Sequence, residues 1–94
     1  MIYNISEFEY YLAGSTMAVI KEEILKKIGQ RVKIIRVSRQ LNQAELAERS
    51  GMKQSNISSY ERGASPFNIV DLFRLAEALE CKASDIVDLD RSLV

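Results

Sequence analysis

The sequence predicts an all-α fold of five helices with an extra N-terminal segment. Three observations support this prediction. The 94-residue chain has one Pro and four Gly, it lacks a long stretch of alternating apolar and polar residues, and its apolar residues recur at intervals of three and four. This length supports one hydrophobic core. We therefore expect one folded domain at residues 21–88, an N-terminal accessory segment at 1–20 and a C-terminal tail at 89–94.

Helix 1 is predicted over residues 20–37, where Lys and Arg separate apolar residues at helical spacing. These apolar residues are Ile20, Ile24, Leu25, Ile28, Val32 and Ile35. Residues 1–16 also carry apolar residues at helical spacing, but Glu7 and Glu9 are the only charges there. That segment is predicted to be either a short helix or an arm that orders on a partner.

Two short helices follow, separated by a tight turn. Asn42 and Glu45 have the spacing of a capping box, so helix 2 begins after Asn42. Helix 2 ends before Gly51, which can adopt the left-handed conformation that such a turn requires. Helix 3 is predicted over residues 54–61, and Gly63 ends it.

Asn68 and Asp71 repeat the capping pattern at the start of helix 4. The apolar stripe of this helix consists of Ile69, Leu72, Leu75, Ala76 and Leu79. A short helix 5 at residues 83–87 is expected to close the core.

The charges are distributed unevenly, although the formal net charge is zero. Residues 1–20 carry two acids and no bases, residues 21–63 carry ten bases and five acids, and residues 64–94 carry three bases and six acids. A basic centre between acidic ends is typical of a protein that presents one positive face to a polyanion.

The composition argues against an enzyme or a metal protein. The chain has no His, and Cys81 is its only Cys, so we expect no catalytic residue, no cofactor and no metal site. Asp85, Asp88 and Asp90 are interpreted as a solvated acidic tail. No apolar run reaches the length of a membrane span and no secretory signal precedes the domain, so a cytoplasmic protein is expected.

Helix 3 separates into two predicted faces when each residue is turned by about 100° from the last. One face carries small hydrogen-bonding side chains, namely Gln54, Ser55, Ser58 and Ser59. The opposite face carries Asn56, Ile57 and Tyr60. Gln can pair bidentately with adenine, and Ser permits a close approach to the groove floor, so the first face suits the DNA major groove.

The stretch LNQAELAERSGMKQSNISSYERG resembles the helix-turn-helix domains of lambdoid phage repressors and Cro proteins, the XRE-type domain. The residues that match the family pattern are Asn42, Gln43, Ala44, Glu45, Leu46, Ala47, Gly51, Gln54, Glu61 and Gly63. The resemblance extends more loosely over residues 24–88 and implies a repressor-like five-helix bundle that binds double-stranded DNA.

The resemblance also implies roles for individual residues. Gln43 would contact a phosphate and brace Gln54 against an adenine. Further DNA contacts are expected from Asn42 at the start of helix 2, Ser55, Ser58 and Ser59 on helix 3, and Lys53, Arg62 and Asn68 near the backbone or groove rim. Arg36 and Glu61 match a partly buried salt bridge that supports the recognition helix.

The chain departs from the family at four positions. The family often has Gly near Gln40 and Glu80, and Ser or Thr near Lys53 and Lys82. These departures remove preferred helix caps and predict lower local stability.

The sequence leaves the biological context open. A transcriptional repressor that binds a palindromic operator as a homodimer is the main hypothesis. An antitoxin that uses the helix-turn-helix for autoregulation, with Tyr3, Tyr10 and Tyr11 near a toxin-binding surface, is the alternative, and a restriction-modification controller is a further possibility. The residues expected at the dimer contact are Ile86, Val87, Leu89, Leu93 and Val94, with the N-terminal segment as a rival.

Overall fold

The computed structural model describes the backbone of residues 5–88 and the side chains of residues 17–88. Its five helices are α1 (Ile5–Ser38), α2 (Gln43–Ser50), α3 (Gln54–Glu61), α4 (Ile69–Ala78) and α5 (Ala83–Val87). The predicted all-α class is confirmed, and helices 2 to 5 lie where the caps and spacings predicted them.

Helix α1 differs from the prediction, because it begins at Ile5 instead of near Ile20. It runs without interruption across the predicted boundary between residues 20 and 21. Residues 5–19 contain no Pro, and their single glycine, Gly14, lowers helix propensity without removing a backbone hydrogen bond, so the helix continues through them. Neither a separate short helix nor a non-helical arm is therefore correct for residues 5–16.

The core lies between the C-terminal half of α1 and the four shorter helices. Its fully buried side chains are Val32, Leu46, Ile57, Leu75, Leu79 and Ile86, so every helix contributes at least one. The burial of Ile86 corrects its assignment to a dimer contact, because this side chain is already used inside one protomer. Val87 is 40% exposed, whereas Leu89, Leu93 and Val94 lie outside the described residues.

Close packing of α1 on α3 requires a glycine that the sequence analysis did not single out. A Cβ atom at Gly29 would lie 2.1 Å from the carbonyl oxygen of Tyr60 and 2.9 Å from that of Glu61. Any side chain at this position would therefore force the two helices apart. Gly29 fixes the distance between the long helix and the end of α3.

Arg31 of α1 and Arg39, which immediately follows the helix, attach α1 to the C-terminal helices. Arg31 donates from Nε to the carbonyl oxygen of Asp85 at 2.7 Å, and Arg39 donates from Nε to the carbonyl oxygen of Leu79 at 2.8 Å. Leu79 is the C-cap of α4, where unpaired carbonyls and the helix dipole favour a cation. These bonds hold α1 against both α4 and α5.

At the four positions that depart from the family pattern, the backbone has the conformation that the family's usual residues favour. Gln40 and Glu80 have φ values of 59° and 56°, in the left-handed region that favours glycine. Lys53 and Lys82 are N-caps without a side-chain capping bond. At Lys82 the missing bond is partly replaced, because its N–H donates to Oδ2 of Asp85 at 2.9 Å.

Candidate nucleic-acid interface

The turn between α2 and α3 is built by a glycine C-cap. Gly51 has φ 69° and ends α2, and the N–H of Met52 donates to the carbonyl oxygen of Ala47 at 2.9 Å. Leu46 is fully buried on one side of the turn and Ile57 on the other. The turn and these two anchors fix the angle at which α3 leaves α2.

Helix α3 keeps its apolar side in the core. Ile57 is fully buried and Tyr60 is 6% exposed. The ring of Tyr60 stacks on Phe67 with centroids 4.2 Å apart, and its hydroxyl donates to Oδ2 of Asp71 at 2.5 Å. Burial, together with this hydrogen bond, raises the pKa of Tyr60. One side of α3 is thus tied to α1 and α2, and its C-terminal end to α4.

The other side of α3 presents polar side chains. Gln54 and Ser55 are exposed, and Ser58 and Ser59 are half-buried. Asn56 is also exposed, which corrects its placement on the buried face. The core contacts α3 over an arc centred between Ile57 and Tyr60, and Asn56 lies beyond the edge of that arc.

A buried carboxylate joins three elements at the C-terminal end of α3. Oε2 of Glu61 accepts from Arg36 Nε at 2.6 Å, and Oε1 accepts from Arg36 Nη2 at 3.0 Å. The side chain of Glu61 is 3% exposed and that of Arg36 is 10% exposed. Arg36 also donates from Nη1 to the carbonyl oxygen of Leu41 at 2.7 Å. The hydrogen bond to Glu61 is the main cause that raises the pKa of Arg36, against the lowering effect of burial.

Gln43 is the third donor to this carboxylate. Its Nε2 lies 3.0 Å from Oε1 of Glu61, so the first residue of α2 is held by the last residue of α3. The resemblance implies a different partner for Gln43, because there it braces Gln54 against an adenine. That contact concerns the DNA-bound protein and stays a prediction.

The start of α2 carries the predicted capping box. Oδ1 of Asn42 accepts from the N–H of Glu45 at 2.7 Å, and Glu45 Oε1 accepts from the N–H of Asn42 at 2.9 Å. Because the amide oxygen of Asn42 is used by the cap, its amide nitrogen is the group that can donate to an anion. The exposed first turn of α2 also directs backbone N–H groups outward.

The remaining predicted contact residues lie at the two ends of α3 and at the start of α4. Lys53 is exposed at the N-cap of α3. Arg62 is exposed immediately after α3, with its Nε 3.5 Å from Ser58 Oγ. Asn68 caps α4 by accepting from the N–H of Asp71 at 2.9 Å. The candidate interface therefore draws on the starts of α2, α3 and α4 and on the C-terminal end of α3.

Among residues 17–88, no group of three or more His, Cys, Asp or Glu side chains could hold a metal ion. In the part of the chain that the structure describes, no helix combines the length and apolar character needed to cross a membrane.

The helix-turn-helix family HTH_3 matches residues 32–86. No curated protein matches the chain. Among solved structures, the restriction-modification controller protein C.AhdI from Aeromonas hydrophila is 34% identical, with a TM-score of 0.65 over 66% of this chain and 94% of that one.

Two further solved structures are similar to this chain. One is an HTH_3 family transcriptional regulator from Vibrio cholerae, 27% identical, with a TM-score of 0.70 over 74% of this chain and 39% of that one. The other is a point mutant of the restriction-modification controller protein C.Esp1396I, 26% identical, with a TM-score of 0.65 over 70% of this chain and 84% of that one.

Proposed function

The chain belongs to the HTH_3 helix-turn-helix family of DNA-binding regulators, and from this premise we propose that it is a sequence-specific transcriptional repressor acting in the cytoplasm. The observation that carries this proposal is the orientation of α3. Its apolar side is anchored by Ile57 and Tyr60, its last residue is held by Arg36, and its polar side is free to enter a major groove.

Base recognition is assigned to the polar side of α3. Gln54 lies at its first position, where the amide can donate to N7 and accept from N6 of an adenine. Ser55, Ser58 and Ser59 are short, so they let the helix approach the groove floor and can contact base edges. Asn56 is exposed beside them and joins the candidate contacts.

Phosphate contacts are assigned to the ends of the helices. Asn42 and Gln43 lie at the start of α2, where outward N–H groups attract anions. Lys53 and Arg62 add positive charge at the two ends of α3, and Asn68 marks the start of α4. Such contacts set the register of the protein on the duplex, whereas the α3 contacts specify its sequence.

A homodimer is the arrangement that fits a palindromic operator, since a two-fold axis relates two recognition helices about 34 Å apart. The apolar residues exposed on α4 support an interface there. Ile69 is 66%, Val70 54% and Phe73 60% exposed. We assign the dimer contact to these three residues, which we call the α4 patch, and keep Val87 of α5 as a further candidate because it is 40% exposed. Phe73→Glu is then expected to convert the dimer to a monomer in a sedimentation experiment.

The function is tested by selecting duplexes from a random DNA pool at moderate salt, then titrating the selected duplex by fluorescence anisotropy. Gln54→Ala is expected to cost about 1–3 kcal/mol of binding free energy and to relax one base position in each half-site. Glu48→Ala, an exposed change on α2 outside the assigned contacts, is the matched control and should leave affinity unchanged. Enrichment of no sequence would overturn the proposal.

The similarity to two restriction-modification controllers favours one further context. C.AhdI and C.Esp1396I are both covered over most of their length, so control of restriction-modification genes is a second candidate. The antitoxin alternative differs in requiring a toxin as partner. If the protein is folded but the selection enriches no DNA sequence, that result would favour the protein-binding role.

A further inference from the structure

The recognition helix and the helix that carries the α4 patch do not pack directly against each other. Helix α3 packs against α1 and α2, and α4 packs against α2 and α5. Helices α3 and α4, all of whose residues the structure describes, are not such a pair. The orientation of the α4 patch relative to the polar side of α3 is therefore fixed through a third helix or through individual side chains.

The N-terminal half of α4, which carries the α4 patch, has little support from the core. The buried side chains of this helix are Leu75, Ala76 and Ala78, all in its C-terminal half. In the N-terminal half the three residues of the α4 patch are exposed, and only Asp71 and Leu72 are half-buried. The core therefore holds the C-terminal half of α4 more firmly than the half that carries the patch.

One side chain of α3 joins this weakly held half of α4 directly. The hydroxyl of Tyr60 donates to Oδ2 of Asp71 at 2.5 Å, and the Asp71 side chain is 14% exposed. The ring of Tyr60 also stacks on Phe67 in the loop before α4, with the two ring planes inclined by 16°. Hydrogen bonds to a carboxylate are shorter and stronger than those between neutral groups. Tyr60 therefore forms a firm link from α3 to the start of α4.

The C-terminal end of α3 is held from two directions by neighbouring residues. Glu61 is bound by Arg36 of α1 and by Gln43 of α2. Tyr60, the residue before it, is bound by Asp71 of α4. The first anchor fixes α3 within the helix-turn-helix, whereas the second fixes α3 relative to the α4 patch.

We infer that Tyr60 and Asp71 are positioning residues that set the angle between α3 and the α4 patch, and thereby the half-site spacing that the dimer accepts. This inference rests on the proposed function, because it requires both the α4 contact and the DNA contacts of α3. In a two-fold dimer, a displacement of α3 relative to α4 occurs in both protomers. The separation of the two recognition helices then changes by up to twice that displacement.

The spacing of the operator reports on this link, because two recognition helices must meet two half-sites one helical turn apart. Inserting one base pair moves one half-site by about 3.4 Å along the duplex and rotates it by about 34°. A firm link between α3 and α4 makes the dimer reject the altered operator. A loosened link lets α3 follow the displaced half-site.

The experiment titrates three duplexes by fluorescence anisotropy: the selected operator, and the same operator with one base pair inserted or deleted at its centre. The measured quantity is the spacing ratio, defined as the Kd for an altered operator divided by the Kd for the selected one. Tyr60→Phe keeps the ring and its stack but removes the hydroxyl. It is expected to lower the spacing ratio about fivefold through loss of one charge-assisted hydrogen bond. A purely structural role would weaken binding to all three duplexes by the same factor and leave the ratio unchanged.

Two controls separate positioning from general effects. Ser50→Ala removes another buried hydroxyl, which donates to the carbonyl oxygen of Leu46 at 2.7 Å within α2, and should leave the spacing ratio at the wild-type value. In the monomeric Phe73→Glu background, Tyr60→Phe should change the Kd for a duplex with one half-site by less than about twofold. The link matters only when both protomers bind DNA together.

Variants of Asp71 test the partner of the hydrogen bond. Asp71→Ala should lower the spacing ratio as Tyr60→Phe does, and the two combined should lower it no further, because each removes the same bond. Asp71→Asn keeps an oxygen that can accept from the hydroxyl, so it should retain most of the wild-type ratio. Circular dichroism verifies that each variant is folded.

Three results would overturn the inference and leave the proposed function intact: an unchanged spacing ratio in Tyr60→Phe, an equal reduction in Ser50→Ala, or additive reductions in the combined variant. Failure of the proposed function gives different results, namely that no duplex is enriched or that Phe73→Glu remains a dimer. In either case the inference fails with it.

Discussion

The two halves of α1 form one continuous helix but are stabilised in different ways. In the C-terminal half, Val32 is fully buried, Gly29 lies against α3, and Arg36 is bound by Glu61. In the N-terminal half, every described side chain from 17 to 24 is exposed. Continuous hydrogen bonding therefore says little about where a helix gains its stability. Apolar residues at helical spacing become part of the core in the C-terminal half, whereas the described ones at residues 17–24 stay exposed.

The largest expected contrast concerns the ion pairs of the two halves. Glu61→Ala leaves Arg36 buried with the carbonyl of Leu41 as its remaining partner, so we expect a loss of about 3 kcal/mol in the free energy of unfolding. Weaker DNA binding is expected as well, because α3 and Gln43 both lose their anchor.

The control is Glu22→Ala, which breaks the pair that Glu22 forms with Lys26 at 3.3 Å. This pair is exposed at both ends, so at most about 0.5 kcal/mol should be lost. Urea unfolding measures both variants. Equal losses in the two variants would contradict the difference between the halves.

A smaller contrast is expected from one substitution made at two glycines. Gly29→Ala places a methyl group against the carbonyl of Tyr60 and should cost about 2 kcal/mol of stability through displacement of α3 from α1. Gly14→Ala lies in the projecting half, where alanine favours the helix by up to about 1 kcal/mol.

Thermal unfolding and circular dichroism distinguish these outcomes. Gly29→Ala should lower the melting temperature. Gly14→Ala should raise the helical signal in circular dichroism and leave the melting temperature no lower than that of the wild type. A melting temperature unchanged by Gly29→Ala would show that α3 adjusts to the added atom.

The smallest expected effects come from replacing glutamine by glycine within α1 and in the turn that follows it. Gln40 has φ 59°, so Gln40→Gly should raise stability by about 0.5–1 kcal/mol through relief of backbone strain. Gln30→Gly, within the helix and exposed, should lower stability by about 1 kcal/mol. Opposite signs in chemical denaturation are the expected result, and equal signs would mean that the turn after α1 is not strained.

Much of the fold could be predicted because its signals are local. Asn42 and Asn68 cap helices through bonds to residues three positions ahead, and Gly51 ends α2 by its own backbone conformation. The candidate site was predictable to the extent that a family pattern identified it. Asn56 was misplaced because the angle around α3 was known but the width of the core contact was not.

The sequence by itself determined the helices after α1, their caps and the tight turn, since each depends on residues a few positions apart. Tertiary structure decided the rest: that Ile86 is buried rather than exposed, that Gly29 is needed, that Gln43 donates to Glu61, and that the first half of α1 extends beyond the core. These features depend on which distant surfaces meet and how much space they leave, and a helical period carries no information about either.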